Sequence, residues 1–256
     1  MVSRITSMSY KKLYIKTKEV NNSQNILFKS SFSDLFFRRA SFFITPFFIK
    51  MGISPNIISG YGFILGLIGS SLIFFTTNFS IRLAFFFFFA ASVLDFVDGN
   101  VARMTNKSSF YGRFIDGLID IVILSLYRFA LCFFIILNMG NNILFWIGVS
   151  ACIVTPFHHL IYDRYSSYAR WSNEENRTNI LPYIRRKVSP RVTFFLADLQ
   201  VFLFFLIPLF ISSSMLEFVL FAYFLTIIIA GFHAIFSHVV HSYKTMNFSA
   251  KSGIHD

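Results

Sequence analysis

The chain has 256 residues, of which 55% are hydrophobic, 20% aromatic and only 14% charged. A soluble domain spends about 25% of its residues on charge, so an ordinary soluble globule, a disordered chain and a collagen-like fibre are excluded; Phe alone supplies 37 residues. The 23 Lys and Arg against 12 Asp and Glu leave a net charge of +11. With so much apolar content, that charge argues against nucleic acid as a partner and for anionic lipid head groups.

Residues 1–32 are rich in Ser, Asn and Lys and are expected to form a mobile basic tail. The first 25 residues contain no apolar h-region, so no signal peptide is expected. Over 33–50, Ser33-Asp34 as a cap is followed by Leu35, Phe36, Phe37, Ala40, Phe42, Phe43 and Ile44, with Arg38 and Arg39 between them. That pattern predicts an amphipathic helix lying in the membrane interface, arginines toward lipid phosphate. Apolar segments of roughly the 20 residues needed to cross about 30 Å of hydrocarbon follow, at 57–77, 81–102, 114–137, 143–162, 193–211 and 216–236. Nothing shows the alternation of barrel strands. The expected fold class is therefore an all-α integral membrane protein, with six transmembrane helices within residues 51–242, the interfacial helix before them and a short tail at 243–256.

Basic residues orient the path. Residues 1–50 carry nine Lys or Arg. The loop after the second span carries Arg103, Lys107 and Arg113, and the loop after the fourth carries Arg164, Arg170, Arg177, Arg185, Arg186, Lys187 and Arg191. Lys244 and Lys251 follow the sixth span, whereas the opposite side has only Arg82. The positive-inside rule puts both termini in the cytoplasm of a multi-pass cell-membrane protein.

The acids run against this pattern. Of eight Asp, four fall within 26 residues of the most apolar half: Asp95, Asp98, Asp116 and Asp120. Asp95 and Asp98 are roughly 60° apart on the second span, and Asp116 and Asp120 form an i, i+4 pair on the third. Both pairs lie near the cytoplasmic ends of antiparallel helices, so facing helices would gather four carboxylates just inside the membrane boundary. Each carries a desolvation cost of several kcal/mol. They must be protonated, paired with cations or open to water. Oxygen ligands without Cys favour a hard cation, Mg²⁺, Mn²⁺ or Ca²⁺, and a two-ion clamp suits displacement at phosphorus. An acidic rim or an ion pathway is the alternative. Gly99, Ala102 and Gly112 leave backbone room beside the acids for a ligand or for helix packing. Arg103 could meet an anionic phosphate or serve as a loop charge.

The pattern Asp95-x2-Asp98-Gly99-x2-Ala102-Arg103-x8-Gly112-x3-Asp116-x3-Asp120 resembles the signature of the CDP-alcohol phosphotransferases, and Ser54-Pro55-Asn56 resembles that family's Thr-Pro-Asn opening. The resemblance implies a membrane enzyme of phospholipid biosynthesis that moves a substituted phosphate from a CDP-linked donor, most commonly CDP-diacylglycerol, to a hydroxyl acceptor with release of CMP. It implies two Mg²⁺ or Mn²⁺ ions held by Asp95, Asp98 and Asp116, with Asp120 as ligand or general base. Gly99, Ala102, Arg103 and Gly112 would shape the nucleotide pocket, and a homodimer is expected because family members often pair. A CDP-linked small alcohol with a lipid acceptor is the alternative substrate arrangement. An intramembrane prenyltransferase and a cation transporter are the competing classes.

Outside the signature, Arg128 sits inside the third span, where a salt bridge is preferred over substrate contact. Gly60, Gly62, Gly66 and Gly69 stripe the first span and predict close helix packing. His158 and His159 near the end of the fourth span have no partner ligands at zinc spacing, and His233, His238 and His241 are expected near the interface. Arg185-Arg186-Lys187 either attracts anionic lipid or grips a substrate phosphate. Cys132 and Cys152 support neither a disulfide framework nor a metal site.

Overall fold

The ends of the helices follow from short polar side chains and from left-handed residues at Gly52, Thr76, Asn106 and Gly140. In the computed structural model, which describes residues 8–23, 31–175 and 190–251, the order is α1 Tyr10–Ser23, α2 Phe32–Lys50, α3 Pro55–Ile73, α4 Asn78–Thr105, α5 Phe110–Phe134, α6 Asn142–Glu175, α7 Pro190–Phe210 and α8 Leu216–Lys251, with no strand among the described residues. α3 opens on Ser54-Pro55, the proline supplying the first-turn geometry without needing its N–H. Thr77 caps α4 by accepting from the Ser80 amide at 3.1 Å. Asn106, at φ 55°, ends α4 in the left-handed region. Ser109 then caps α5 by accepting from the Gly112 amide at 2.9 Å. The two acid-bearing helices are thus joined by a turn built from its own polar side chains. α5 finishes in a π turn, Ile135–Met139, closed by Gly140 at φ 62°.

Six stretches are long and apolar enough to cross a membrane: Pro55–Ile73, Asn78–Thr105, Phe114–Met139, Asn142–Ile161, Val192–Phe210 and Leu216–Val240. The chain is a multi-pass, all-helical membrane protein with the six spans expected. Large apolar side chains such as Phe79, Phe86, Trp146, Phe195 and Phe236 stay exposed on the outer faces, as hydrocarbon solvent allows.

α3 packs closely against both α4 and α5, whereas the backbones of α4 and α5 stand apart and the two helices meet through long side chains. The glycine stripe accounts for the first part. A Cβ at Gly66 would lie 2.6 Å from the Ile123 Cδ1 methyl, and one at Gly69 would collide with the Tyr127 ring and stand 3.0 Å from the Ala84 carbonyl. The Tyr127 hydroxyl donates to that same carbonyl at 2.6 Å, tying α5 to α4 across Gly69. Gly62 meets only ordinary contacts, and Gly60 faces open space. Apolar packing forms two clusters: a larger one through Tyr127, Leu131, Phe204, Leu220 and Phe224, and a smaller one joining Leu13, Phe37, Ile49, Ile58 and Val97 from α1 to α4.

Several expectations are corrected. Residues 10–23, read as part of a mobile tail, form α1, because Leu13, Thr17 and Asn21 are completely buried against the fold. Ser31, not Ser33-Asp34, caps α2, accepting from the Asp34 amide at 3.2 Å. The Ser33 hydroxyl instead donates to Asp198 on α7 at 2.7 Å, and the Phe32 and Ser33 amides donate to the same carboxylate at 2.9 and 2.7 Å. A carboxylate from another helix thus neutralises the start of α2. Arg38 turns inward, over the Phe96 ring at 5.0 Å, with Nη1 donating to Asn21 Oδ1 at 3.3 Å; Arg39 stays exposed. α6 and α8 run on to Glu175 and Lys251, past the expected span ends and, for α8, through most of the expected tail. His238, expected at the interface, is buried with Nδ1 2.6 Å from the Ala234 carbonyl oxygen.

Asn100 is the polar centre of the smaller cluster. Completely buried, it donates to Ser41 Oγ at 2.8 Å and Thr45 Oγ1 at 3.2 Å, and it accepts from Asn21 at 3.0 Å and Arg103 at 2.8 Å. Two measurements of thermal midpoint in detergent, by size-exclusion chromatography after heating, check this packing. Gly69→Ala lowers the midpoint, corresponding to about 1–3 kcal/mol of overpacking, while Gly60→Ala leaves it unchanged. Asn100→Leu lowers it by a similar amount, about 1–3 kcal/mol, because buried donors and acceptors on α1 and α2 lose their partner.

Candidate active site

Where α4 and α5 part, a cavity of about 310 Å³ opens between them. α4 supplies Asp95 and Asp98, α5 supplies Asp116 and Asp120, and all four line the cavity. One carboxylate oxygen from each of Asp95, Asp98 and Asp116 falls within a group whose members are all within 4.8 Å of one another. Asp98 is the most enclosed of the three, at 5% exposure. Asp120 stands one turn further along α5, on the same wall but outside that group.

The facing helix completes the acid cluster. Ser59 on α3 donates its hydroxyl to Asp98 Oδ2, and Gly62 one turn on also lines the cavity. Ser59 is the residue that sequence reasoning missed; its only prior signal is its position one turn into the helix that Ser54-Pro55 opens. The first turn of α2 reaches the same cavity through Ser33 and Asp34. Apolar walls come from Phe88, Ile119, Ile123, Phe204 and Phe205.

The remaining signature residues surround the site without lining the cavity. The Arg103 guanidinium lies across Gly99, 3.3 Å from where a Cβ would stand, and its Nη2 bonds to Asn100. The glycine therefore makes room for an arginine. Gly112 is held by the Ser109 cap, with Asn56 Oδ1 3.5 Å from a Cβ position. Ala102 is half-buried on α4. Arg38 comes from α2, outside the signature. Its guanidinium is lowered from the usual value by burial, against the opposing pull of Asp34 and Asp95. The Nε atoms of both Arg38 and Arg103 are buried without a hydrogen-bond partner among the described residues.

Arg128, expected to form a salt bridge, has none among the described residues. It is 5% exposed, with Nη1 donating to Thr155 Oγ1 at 2.5 Å and Nε to the Tyr223 hydroxyl at 3.4 Å, and it lines the cavity with the acids. Cys132 and Cys152 are free thiols 4.0 Å apart. The Arg185-Arg186-Lys187 motif lies outside the described residues.

Three close carboxylates and a hydroxyl, without thiol or imidazole, form a donor set that suits a hard divalent cation. The group could hold such an ion, and the cavity walls beside it are apolar.

Comparison with known proteins agrees with this geometry. A family model described as CDP-alcohol phosphatidyltransferase matches residues 52–229, a stretch that contains α3, α4, α5 and every acid of the cluster. An uncharacterized protein of Aquifex aeolicus (strain VF5) is 35% identical over 77 residues, which are 30% of this chain and 38% of that protein. The match takes in every cavity-lining helix except α2, and the chain belongs to the CDP-alcohol phosphatidyltransferase family.

Proposed function

We propose that this protein transfers a phosphatidyl group from CDP-diacylglycerol to a hydroxyl acceptor and releases CMP, as a step of phospholipid biosynthesis. The observation that carries the reading is the trio Asp95, Asp98 and Asp116, with ligand oxygens within 4.8 Å of one another on a cavity with apolar walls. Family membership supports transfer of a phosphate-linked alcohol group from a CDP-alcohol, and it leaves the prenyltransferase and transporter alternatives without support.

In this reading Asp95, Asp98 and Asp116 hold Mg²⁺ or Mn²⁺, with Asp120 completing the set toward two ions. A divalent ion held by these carboxylates would supply charge neutralisation for a diphosphate. Ser59 fixes the carboxylate of Asp98 through its hydrogen bond, so the site is oriented before substrate arrives. Asp120 takes the proton of the acceptor hydroxyl. The acceptor oxygen then forms a bond to the phosphorus that carries the diacylglycerol, and the bond from that phosphorus to the bridging oxygen breaks, leaving with CMP. Gly99, Ala102, Arg103 and Gly112 form the nucleotide side, where the Arg103 guanidinium meets phosphate. Both termini and the site face the cytoplasm, with the basic loops against anionic lipid, and the protein works as a homodimer.

Three outcomes test this. Asp116→Asn and Asp120→Asn each lower CMP release from CDP-diacylglycerol by about a hundredfold or more while eluting as folded protein; normal turnover in either would overturn the site. Asp98→Asn loses the Mn²⁺-dependent retention of CMP that the parent protein shows by equilibrium dialysis. For orientation, a Cys at Lys107 reacts with a membrane-impermeant maleimide only after permeabilisation, whereas a Cys at Asn141 reacts in intact cells.

A further inference from the structure

α1 is held to the protein by one face and presents a basic one outward. Leu13, Thr17 and Asn21 are completely buried. Alongside them the Tyr10 hydroxyl donates to the Phe43 carbonyl, and the Tyr14 ring lies 5.1 Å from the Phe43 ring. On the other side Ile15 is 45% exposed, and Lys11, Lys12 and Lys18 are exposed around it. At the helical pitch all three lysines stand within about 60° of Ile15. The whole helix carries four lysines against one acid, Glu19.

The place of α1 decides what meets that face. Phe36, Phe43 and Phe47 recur at helical spacing on α2, and each is more than half exposed. In a protein with six apolar spans, such a stripe is a surface for hydrocarbon. Tyr10 and Tyr14 sit on Phe43, so α1 runs beside the stripe, at the end of the bundle where α4 stops. Tyrosines next to hydrocarbon, with lysines reaching past them, make the arrangement of a water–lipid boundary. The outward face of α1 is thus continuous with the lipid-facing side of α2, and its charge complements anionic head groups.

The inward face reaches the signature. Asn21 accepts from Arg38 Nη1 at 3.3 Å and donates to Asn100 at 3.0 Å, and Asn100 also takes Arg103 at 2.8 Å. Whatever seats α1 therefore helps to seat both arginines.

We propose that α1 is a sensor of lipid charge. Lys11, Lys12 and Lys18 rest on anionic head groups with Ile15 between them, and this seating, passed through Asn21 and Asn100, sets how firmly the nucleotide side of the site is formed. The protein then works better on an anionic leaflet than on a neutral one. The lipid contact stands on the geometry of α1 alone; its effect on the site rests on the transferase reading above.

The test compares the full chain with the triple variant Lys11→Gln, Lys12→Gln, Lys18→Gln, in nanodiscs of phosphatidylcholine alone or mixed with phosphatidylglycerol. Phosphatidylglycerol slows hydrogen exchange over residues 10–23 of the parent protein, by about fivefold for each lysine engaged. The slowing disappears in the triple variant and at high salt. Mn²⁺-dependent CMP retention in phosphatidylglycerol discs is weaker in the triple variant by about fivefold or more, whereas the two proteins are equal in phosphatidylcholine. Asn21→Ala loses this lipid dependence of CMP retention while its lysines still respond in the exchange measurement. Exchange that ignores lipid charge overturns the contact. So does slowing by heparin where phosphatidylglycerol has no effect, which would give the face to a soluble polyanion. Equal CMP retention by parent and triple variant in phosphatidylglycerol discs overturns the coupling, and unchanged lipid dependence in Asn21→Ala overturns its route. Absence of Mn²⁺-dependent CMP retention from the parent in both lipids defeats the transferase reading, while the exchange comparison still decides the contact of α1 with lipid.

Discussion

Mutual repulsion among carboxylates where water is scarce is the constraint that organises this molecule. Asp95, Asp98 and Asp116 bring oxygens within 4.8 Å of one another inside a helical bundle, an arrangement that costs several kcal/mol per charge unless cations or water compensate. The backbones of the acid-bearing helices stand apart, and the acids reach into the space between them. α3 lies against both α4 and α5, with Gly66 and Gly69 taking Ile123 and Tyr127 into its surface. The space between α4 and α5 remains as the cavity. Helix packing and ligand space are thus two results of one glycine-lined surface.

A second frame holds the outer side. Asn100 joins α1, α2 and α4 through buried hydrogen bonds, and Asp198 on α7 satisfies the first amides of α2. α2 is therefore fixed at its start by one helix and along its length by another. That is why Ser33 and Asp34 arrive at the cavity and why Arg38 turns toward the protein.

Much of this was legible in the sequence, for identifiable reasons. The six spans follow from length and apolar content, and the acid cluster follows from a 3.6-residue period read on two antiparallel helices. The Tyr127 contact with Gly69 is foreshadowed by the glycine stripe but not by any feature of Tyr127. Ser59, Asp198 and Asn100 could not be read because each acts across helices, through a partner 39, 165 and 79 residues away. α1 was hidden by its composition: its buried face is Leu13, Thr17 and Asn21, and polar residues that bury by pairing look like a solvated tail. Arg128 was read as half of an ion pair because a buried charge ordinarily has one; its neutral neighbours lie on α6 and α8.

Asn100 occupies one of the positions between Gly99 and Ala102 that the signature leaves open, yet here it accepts from both Asn21 on α1 and Arg103 of the signature. The placements of the N-terminal helix and of the signature arginine consequently meet on one acceptor oxygen. Taking α1 away would leave Asn100 and Asn21 without the bond between them, so a stretch that the family model matches, residues 52–229, leans on a segment that precedes it.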